Sequence, residues 1–342
     1  MIAVSIIGWI LLGLFLIYLI LLFIGFYILN KNPLPFDEKA LNNDGGKYAV
    51  TDNGRKVEYF VFGNLDPKSK VIICIHGSGP EAKSEVDFNV NSCKELGLKG
   101  IAISLPGYGY SDVNPGRQVI DWPKEDLACV LKKEGVDKFM IMGHSQGTVH
   151  AMAAAYCYPI RCEGFGLNSP LLPSKISKEV GVVVAIGSDS LPNTETIQKP
   201  YMAWYFGLMH LSLVTFSPWL PLKAVKIEPS SESFKIMRNT IKRAVIRGSI
   251  GITYESAHDV CFDWGFDPRD IKNDNICIWH AADDKLCPPE IGIWLKDYFQ
   301  NKLEVKVNFR SDNIGYGHFT YKQGIFLNPD QSMIKALQDG CN

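Results

Sequence analysis

Lys138-Phe139-Met140-Ile141-Met142, Gly143-His144-Ser145-Gln146-Gly147 and Thr148-Val149-His150-Ala151-Met152-Ala153-Ala154-Ala155-Tyr156 run consecutively, and their reading decides the architecture. The first run has the length and continuity of a buried strand, and the last, rich in small and apolar residues, reads as a helix. Between them the chain must reverse sharply. Glycines two residues before and two after Ser145 leave room for a strained turn where a side chain would clash. Such a turn holds the Ser145 hydroxyl up at a helix N-terminus, with the Gln146 N–H aimed at any oxyanion formed on an attacked carbonyl. Alone, the string is equally consistent with a glycine-rich strand-to-helix turn, so its partners decide.

A serine hydroxyl is a weak nucleophile near neutral pH and needs a base, usually histidine, which a carboxylate must orient. Downstream, Asn275-Ile276-Cys277-Ile278-Trp279-His280-Ala281-Ala282-Asp283-Asp284-Lys285-Leu286-Cys287-Pro288 reads as an apolar strand ending in two aspartates. A helical segment, Glu290 to Phe299, a strand, Leu303 to Phe309, and then Gly315-Tyr316-Gly317-His318-Phe319 follow.

With this order of serine, acid and histidine the chain resembles the α/β-hydrolase superfamily. The resemblance covers Lys47 to about Pro170 and about Trp264 to Leu327. It implies an α/β-hydrolase fold and a triad of Ser145, Asp284 and His318. The family's acid string, Gly-x-x-Asp-x-x-Val-Pro, aligned on Pro288, puts its acid on Asp284, with Ala281 for the glycine and Cys287 for the valine; Asp283 is the alternative. The family's other acid position would fall near Leu167-Asn168-Ser169-Pro170-Leu171, which has no carboxylate. Val71-Ile72-Ile73-Cys74-Ile75-His76-Gly77-Ser78-Gly79-Pro80 is similar to its third strand and oxyanion loop. That similarity implies an oxyanion hole of the Gln146 and Ser78 N–H groups, with Gly79 the alternative to Ser78, and substrate contacts at His76, Gly77 and Gly79. Leu105-Pro106-Gly107-Tyr108-Gly109-Tyr110-Ser111-Asp112 resembles its Asp-x-Pro-Gly-x-Gly-x-Ser loop, with Ser104 in place of the leading aspartate.

The remaining histidines read mainly as structure: His76 as a hydrogen-bonded loop residue, His144 as packing at the elbow, His280 as a core histidine. His210 and His258 fall between the matched halves, where a substrate contact stays open. The nine cysteines form no Cys-x-x-Cys pair and have no histidine at zinc-ligand spacing. There is no phosphate-cradling glycine string and no basic run, and the net charge is -1, so no metal, cofactor or nucleic acid is expected.

Ile2 to Leu29 carries no charge and is dominated by Ile, Leu and Phe. As a helix of roughly 28 residues it is about 42 Å long, more than the roughly 30 Å hydrocarbon core. A cleavable signal peptide is the rival, but the run is longer than an h-region, lacks a basic n-region and has no small-residue cleavage site after it. A single-pass membrane anchor is expected. Lys31 and Lys39 on its flank outweigh Asp37 and Glu38 in the orientation bias, no Asn-x-Ser/Thr sequon occurs, and the cysteine count is odd. The catalytic domain is therefore expected on the cytoplasmic side, the endoplasmic reticulum membrane being one such location.

The expected organisation is an anchor over residues 1–30, a linker over 31–46, a hydrolase core over 47–170 and 264–342, and a cap inserted over 171–263. Strand-like runs at Val57–Phe62, Val71–Ile75, Ile101–Leu105, Lys138–Met142, Gly164–Leu167, Ile276–Trp279 and Leu303–Phe309 alternate with helical ones such as Trp122–Glu134. Alternation argues for a mostly parallel sheet with helices on both faces. The insertion is uncharged between Lys199 and Lys223 and holds Trp204 and Phe206, expected to line an apolar pocket. A second span there would separate Ser145 from Asp284 and His318 across the bilayer. The expected activity is hydrolysis of carboxylic esters of hydrophobic or lipid-like substrates through an acyl-enzyme on Ser145. The alternative is a ligand-binding or signalling protein on the same fold with slow or vestigial catalysis.

Overall fold

The apolar runs form strands because each is short and the central ones are buried on both faces. They are β1 (Lys47–Val50), β2 (Lys56–Gly63), β3 (Val71–Ile75), β4 (Lys99–Ile103), β5 (Phe139–His144), β6 (Cys162–Asn168), β7 (Ile276–Trp279) and β8 (Val307–Arg310). In this computed structural model, which describes residues 2–114, 116–182, 211, 227–228, 230–252, 254–255 and 263–340, they make one eight-stranded sheet in the order β1-β2-β4-β3-β5-β6-β7-β8. β2 runs antiparallel to β1 and β4; every other pair is parallel. Five of the seven expected strands overlap closely, β1 was not expected, and the last is shorter than read. Helix Glu290–Lys302 runs on past Phe299, and Glu304 turns the chain at positive φ, so pairing begins only at Val307.

Helices α1 (Ile2–Asn30) and α2 (Glu38–Asn43) precede the sheet; α3 (Ala82–Glu95), α4 (Ala128–Glu134) and α5 (Gln146–Cys157) cross over between its strands. Residues Trp122 to Glu134, read as one helix, open with a π-helical turn over Pro123–Leu127. Between β6 and β7 the chain leaves the sheet through α6 (Ser174–Glu179) and α7 (Glu232–Ala244); α8 (Glu290–Lys302) and α9 (Met333–Gly340) close the domain. The hydroxyl of Ser231 caps α7 by accepting from the Phe234 N–H, and Phe234, Met237, Ile241 and Ala244 form its buried stripe. α1 is the one helix among the described residues long and apolar enough to cross a membrane; most of its span Ile6–Ile28 is exposed, Trp9 and Phe23 among it, and Ile28 at its end is buried.

One guanidinium ties α7 to the sheet. Arg243 bonds Glu58 of β2, Glu81 at the start of α3 (3.0 Å) and Asp44 after α2 (2.9 Å), and stacks over Phe60 and Tyr110. Glu58 also receives the Ser104 hydroxyl (2.9 Å) and the Tyr110 N–H (3.0 Å). The carboxylate that the 104–112 loop lacks at its first position is thus supplied by the neighbouring strand. Burial pushes the Glu81 carboxyl up to about 8 even against the opposing pull of Arg243.

Replacing Arg243 by methionine leaves two buried carboxylates uncompensated and is expected to cost about 3–5 kcal/mol in denaturant unfolding. A carboxyl raised in the folded state contributes its stability below its unfolded pKa and loses it as pH climbs through the folded value, so the deficit should be larger at pH 8 than at pH 5. A deficit independent of pH would contradict this account.

Candidate active site

The turn at Ser145 forms because three backbones meet where only glycine fits. A Cβ on Gly147 would lie 2.7 Å from the His76 carbonyl oxygen, and one on Gly143 would lie 2.6 Å from the Thr148 nitrogen. The reversal is forced onto Ser145, which adopts φ 53° and ψ −118° as the residue before α5. That is a strained conformation for an L-residue, costing about 1–3 kcal/mol, and it is held from outside. The Ser145 N–H donates to the Asn168 carbonyl (2.8 Å), and its own carbonyl accepts from the N–H (2.9 Å) and hydroxyl (2.5 Å) of Thr148.

The loop of residues 76–79 lies against this elbow. A Cβ on Gly77 would stand 3.2 Å from the Cβ of Ser145. His76 is fully buried: its Nδ1–H donates to the Gly77 carbonyl (2.8 Å) and its Nε2 accepts the Leu105 N–H (3.0 Å). Burial lowers its pKa to about 4. With both nitrogens engaged, the His76 ring is frame, and any contact from this residue to a ligand runs through its backbone. Ser78 is exposed at the loop tip, while a Cβ added at Gly79 would meet Ile241 of α7 at ordinary contact distance. Gln146 opens α5, so its N–H has no carbonyl partner within the helix. Its buried side chain accepts from the Tyr108 hydroxyl (2.9 Å), a contact that nothing in the local sequence pattern announces.

The two aspartates divide their work. Asp284 Oδ2 accepts from His318 Nδ1 at 2.8 Å, and its Oδ1 accepts the N–H groups of Leu286 (2.9 Å) and Cys287 (3.0 Å). Asp283 instead accepts the Gly317 N–H (3.1 Å) and so fixes the loop that carries the histidine. His280 stands 3.4 Å from Asp284 Oδ2 and donates to the Cys287 carbonyl (3.0 Å), which makes it a second partner of that carboxylate. Burial would raise the Asp284 carboxyl; hydrogen bonds from His280, His318 and the Cys287 N–H hold it far below the usual range. Burial would lower His318; the nearby Cys287 sulfur and the Asp284 carboxylate lift it above the ordinary imidazole value.

His318 is brought to the elbow by its backbone. Its carbonyl accepts from His144 Nε2 (3.0 Å) and from the Ser169 hydroxyl (3.4 Å), and the His144 and His318 rings lie 4.9 Å apart. Behind it, the buried Lys322 ammonium grips both oxygens of Glu85 in α3 (2.7 and 2.6 Å). The Asp284–His318 pair is therefore held beside the Ser145 elbow, at the C-terminal ends of β5 and β7. Trp204, Phe206, His210 and His258 lie outside the described residues.

Comparisons to known proteins bear on the fold and family of the chain. Residues 70–196 match the family model of the α/β hydrolase fold. The chain is 34% identical over 239 residues, 66% of its length, to a 2-hydroxy-6-oxononadienedioate/2-hydroxy-6-oxononatrienedioate hydrolase of Burkholderia vietnamiensis, covering 75% of that protein. The chain belongs to the α/β-hydrolase family. An enzyme of the same name from Klebsiella pneumoniae is 31% identical over 116 residues, 33% of this α/β-hydrolase, and the match spans only 40% of the relative's length. Among solved structures, an esterase from Rhodococcus sp. superposes with a TM-score of 0.59 at 17% identity, covering 86% of this chain and 99% of its own. A thermophilic esterase from Thermogutta terrifontis gives 0.57 at 14%, covering 87% and 99%.

The two aspartates should separate in a mutational test. Asp284→Asn is expected to lower turnover by about 10⁴, since an amide supports the wrong imidazole tautomer. Asp283→Asn keeps an oxygen for the Gly317 N–H and should cost less than about tenfold. Steady-state kinetics on a chromogenic acyl ester would decide, and the reverse ranking would exchange their roles.

Proposed function

We propose that this α/β-hydrolase is a membrane-anchored serine hydrolase that cleaves carboxylic esters of apolar, lipid-like substrates. The observation that carries the reading is the Asp284–His318 hydrogen bond of 2.8 Å beside a strained serine at a helix N-terminus. In this mechanism Ser145 attacks the carbonyl while His318 Nε2 takes its proton and later delivers it to the leaving alcohol. Asp284 keeps the Nδ1 proton in place and stabilises the imidazolium. The N–H groups of Gln146 and Ser78 receive the oxyanion. Water then releases the acid from Ser145 in a second half-reaction.

The charge inventory favours an uncharged substrate. Near the site, the buried cations among the described residues each face a carboxylate: Arg117 faces Glu255, Arg243 faces Glu58 and Glu81, and Lys322 faces Glu85. The Burkholderia relative's named substrate is a dioate, and carbon–carbon hydrolysis of such a compound is the second reading, favoured by sequence identity. A dianion would need cations that are not already neutralised.

The membrane part of the reading rests on α1 and on how the segment after it is held. Leu34 exchanges two hydrogen bonds with Arg247, just beyond α7: Leu34 N–H to the Arg247 carbonyl (2.8 Å) and Arg247 Nε to the Leu34 carbonyl (2.7 Å). Arg247 also bonds the Tyr110 carbonyl (3.0 Å) and Asp112 (2.7 Å). With α1 in a bilayer, so short and fixed a linker keeps the site within reach of lipids. A cytoplasmic orientation is the one the flanking lysines favour.

A fluorophosphonate probe should label the wild-type protein and fail to label Ser145→Ala, with ester turnover falling by about 10⁴ or more. Turnover should rise with acyl length and exceed that on vinylogous dioates. A folded wild-type protein that resists the probe, or one that prefers the dioate, would sink the corresponding part of the proposal.

A further inference from the structure

Cys287 is the one position in the acid-bearing string where a metal-binding atom stands in place of the hydrocarbon side chain of the resembling motif. One ligand atom each from Asp284, Cys287 and His318 lies within 4.8 Å of the other two. All three residues are buried, at 5%, 4% and 6% exposure. We propose that Asp284, Cys287 and His318 form an inhibitory site for a thiophilic divalent cation such as Zn²⁺, which disables the base of the triad. This rests on the hydrolase reading above.

The donor set is one sulfur, one imidazole nitrogen and one carboxylate oxygen. It suits Zn²⁺ or Cd²⁺ and not Mg²⁺ or Ca²⁺, which take oxygen ligands in larger number. Around a tetrahedral Zn²⁺, ligand atoms sit about 3.3–3.6 Å apart, given bonds of roughly 2.0 Å to nitrogen or oxygen and 2.3 Å to sulfur. The existing triangle therefore needs displacements of about an ångström or less. Three protein ligands leave the fourth position for water.

The outer shell is already present. Asp284 Oδ1 is fixed by the Leu286 and Cys287 N–H groups, and His280 stands 3.4 Å from Oδ2. Binding replaces the thiol proton by the metal and releases that proton to solvent, with no change of oxidation state. Either ring nitrogen of His318 gives the same outcome. Metal on Nδ1 moves the imidazole proton to Nε2, which can then no longer accept one from Ser145. Metal on Nε2 occupies the accepting lone pair directly.

The test uses the full-length chain, stripped of metal and held in detergent micelles. Zn²⁺ should suppress fluorophosphonate labelling and ester turnover, EDTA should restore both, and Mg²⁺ at the same concentration should do neither. Each variant is compared with its own zinc-free rate. Cys287→Val should require a zinc concentration higher by at least the roughly 10–100-fold that loss of an outer-sphere partner alone costs. Titration with Cd²⁺ should give an ultraviolet thiolate-to-metal charge-transfer band that Ser145→Ala retains and Cys287→Val lacks. Should the valine variant fail to fold, Cys287→Ser serves in both arms. Equal zinc sensitivity of wild type and variant, or a cadmium band that does not depend on Cys287, would overturn the site. Failure of the zinc-free wild type to label would instead sink the hydrolase reading, while the cadmium arm would still judge the metal site.

Discussion

The site depends on the contact between two backbones at Gly147. A helix ordinarily meets a strand end through side chains, several ångströms away. Here α5 begins so close to the end of β3 that even one Cβ would lie 2.7 Å from the His76 carbonyl oxygen. The closeness compresses the strand-to-helix reversal into Ser145 and puts strain there, while two backbone hydrogen bonds, to the Asn168 carbonyl and from the Thr148 N–H, and one from the Thr148 hydroxyl hold it. The same closeness sets the loop of residues 76–79 against the elbow, so Gly77 and Ser145 are neighbours without any side chain joining them. Parallel order does the rest: β3, β5, β6 and β7 all point their C-terminal ends at one rim, which gathers their loops.

Around that rim, buried polar groups are matched in pairs, because a lone charge in such a place is costly. Asp284 stays ionised through its histidines and backbone N–H groups. Asp283, one residue earlier and on the other side of the chain, is spent on the loop bearing His318. Lys322, four residues after the histidine, anchors the end of that loop to Glu85 of α3. The imidazole is thus fixed at its ring by one carboxylate and at its backbone by the elbow, with the loop fixed by two more acids. Positioning of this kind is what general-base catalysis requires, since a small displacement of the base costs rate steeply.

Much of this was legible in the sequence, and what was not has physical reasons. Continuous apolar runs give buried parallel strands, so β3, β5, β6 and β7 could be read almost to their ends. Glycines two residues either side of Ser145 encode a reversal by their lack of a Cβ. The family's acid string, aligned on Pro288, favoured Asp284 over Asp283, and it is Asp284 that His318 bonds. By contrast, β1 is a four-residue edge strand with one fully buried side chain, too little to leave a periodic signal. The partnership of Tyr108 with Gln146 spans 38 residues and that of Glu58 with Arg243 spans 185, and no local pattern carries such pairings. The serine at position 104 looked like the loss of a structural carboxylate. Glu58, adjacent across β2 and β4, performs that carboxylate's bonding from another strand, a substitution visible only in three dimensions. His280 has the composition of a core histidine and is one by burial, yet it also stands beside Asp284, the proposed triad acid.

The arrangement of charge also bears on what such a site can hold. Each of the three buried cations near the rim is placed by a different part of the chain: Arg117 before α4, Arg243 at the end of α7, Lys322 after His318. Each meets a carboxylate that is itself buried. Together they add binding strength between segments, and each of these three cations is neutralised by its partner. Attraction of an anion by any of these three cations would require breaking its pair, which exposes a buried acid and costs several kcal/mol by itself. A neutral carbonyl compound incurs no such cost, because its negative charge arises only in the transition state, and backbone N–H groups at the helix start and in the 76–79 loop can receive it there. Binding energy for the rest of such a molecule must then come from apolar surface. That requirement joins the electrostatics of the rim to an apolar N-terminal helix whose linker is bonded to the domain beside α7.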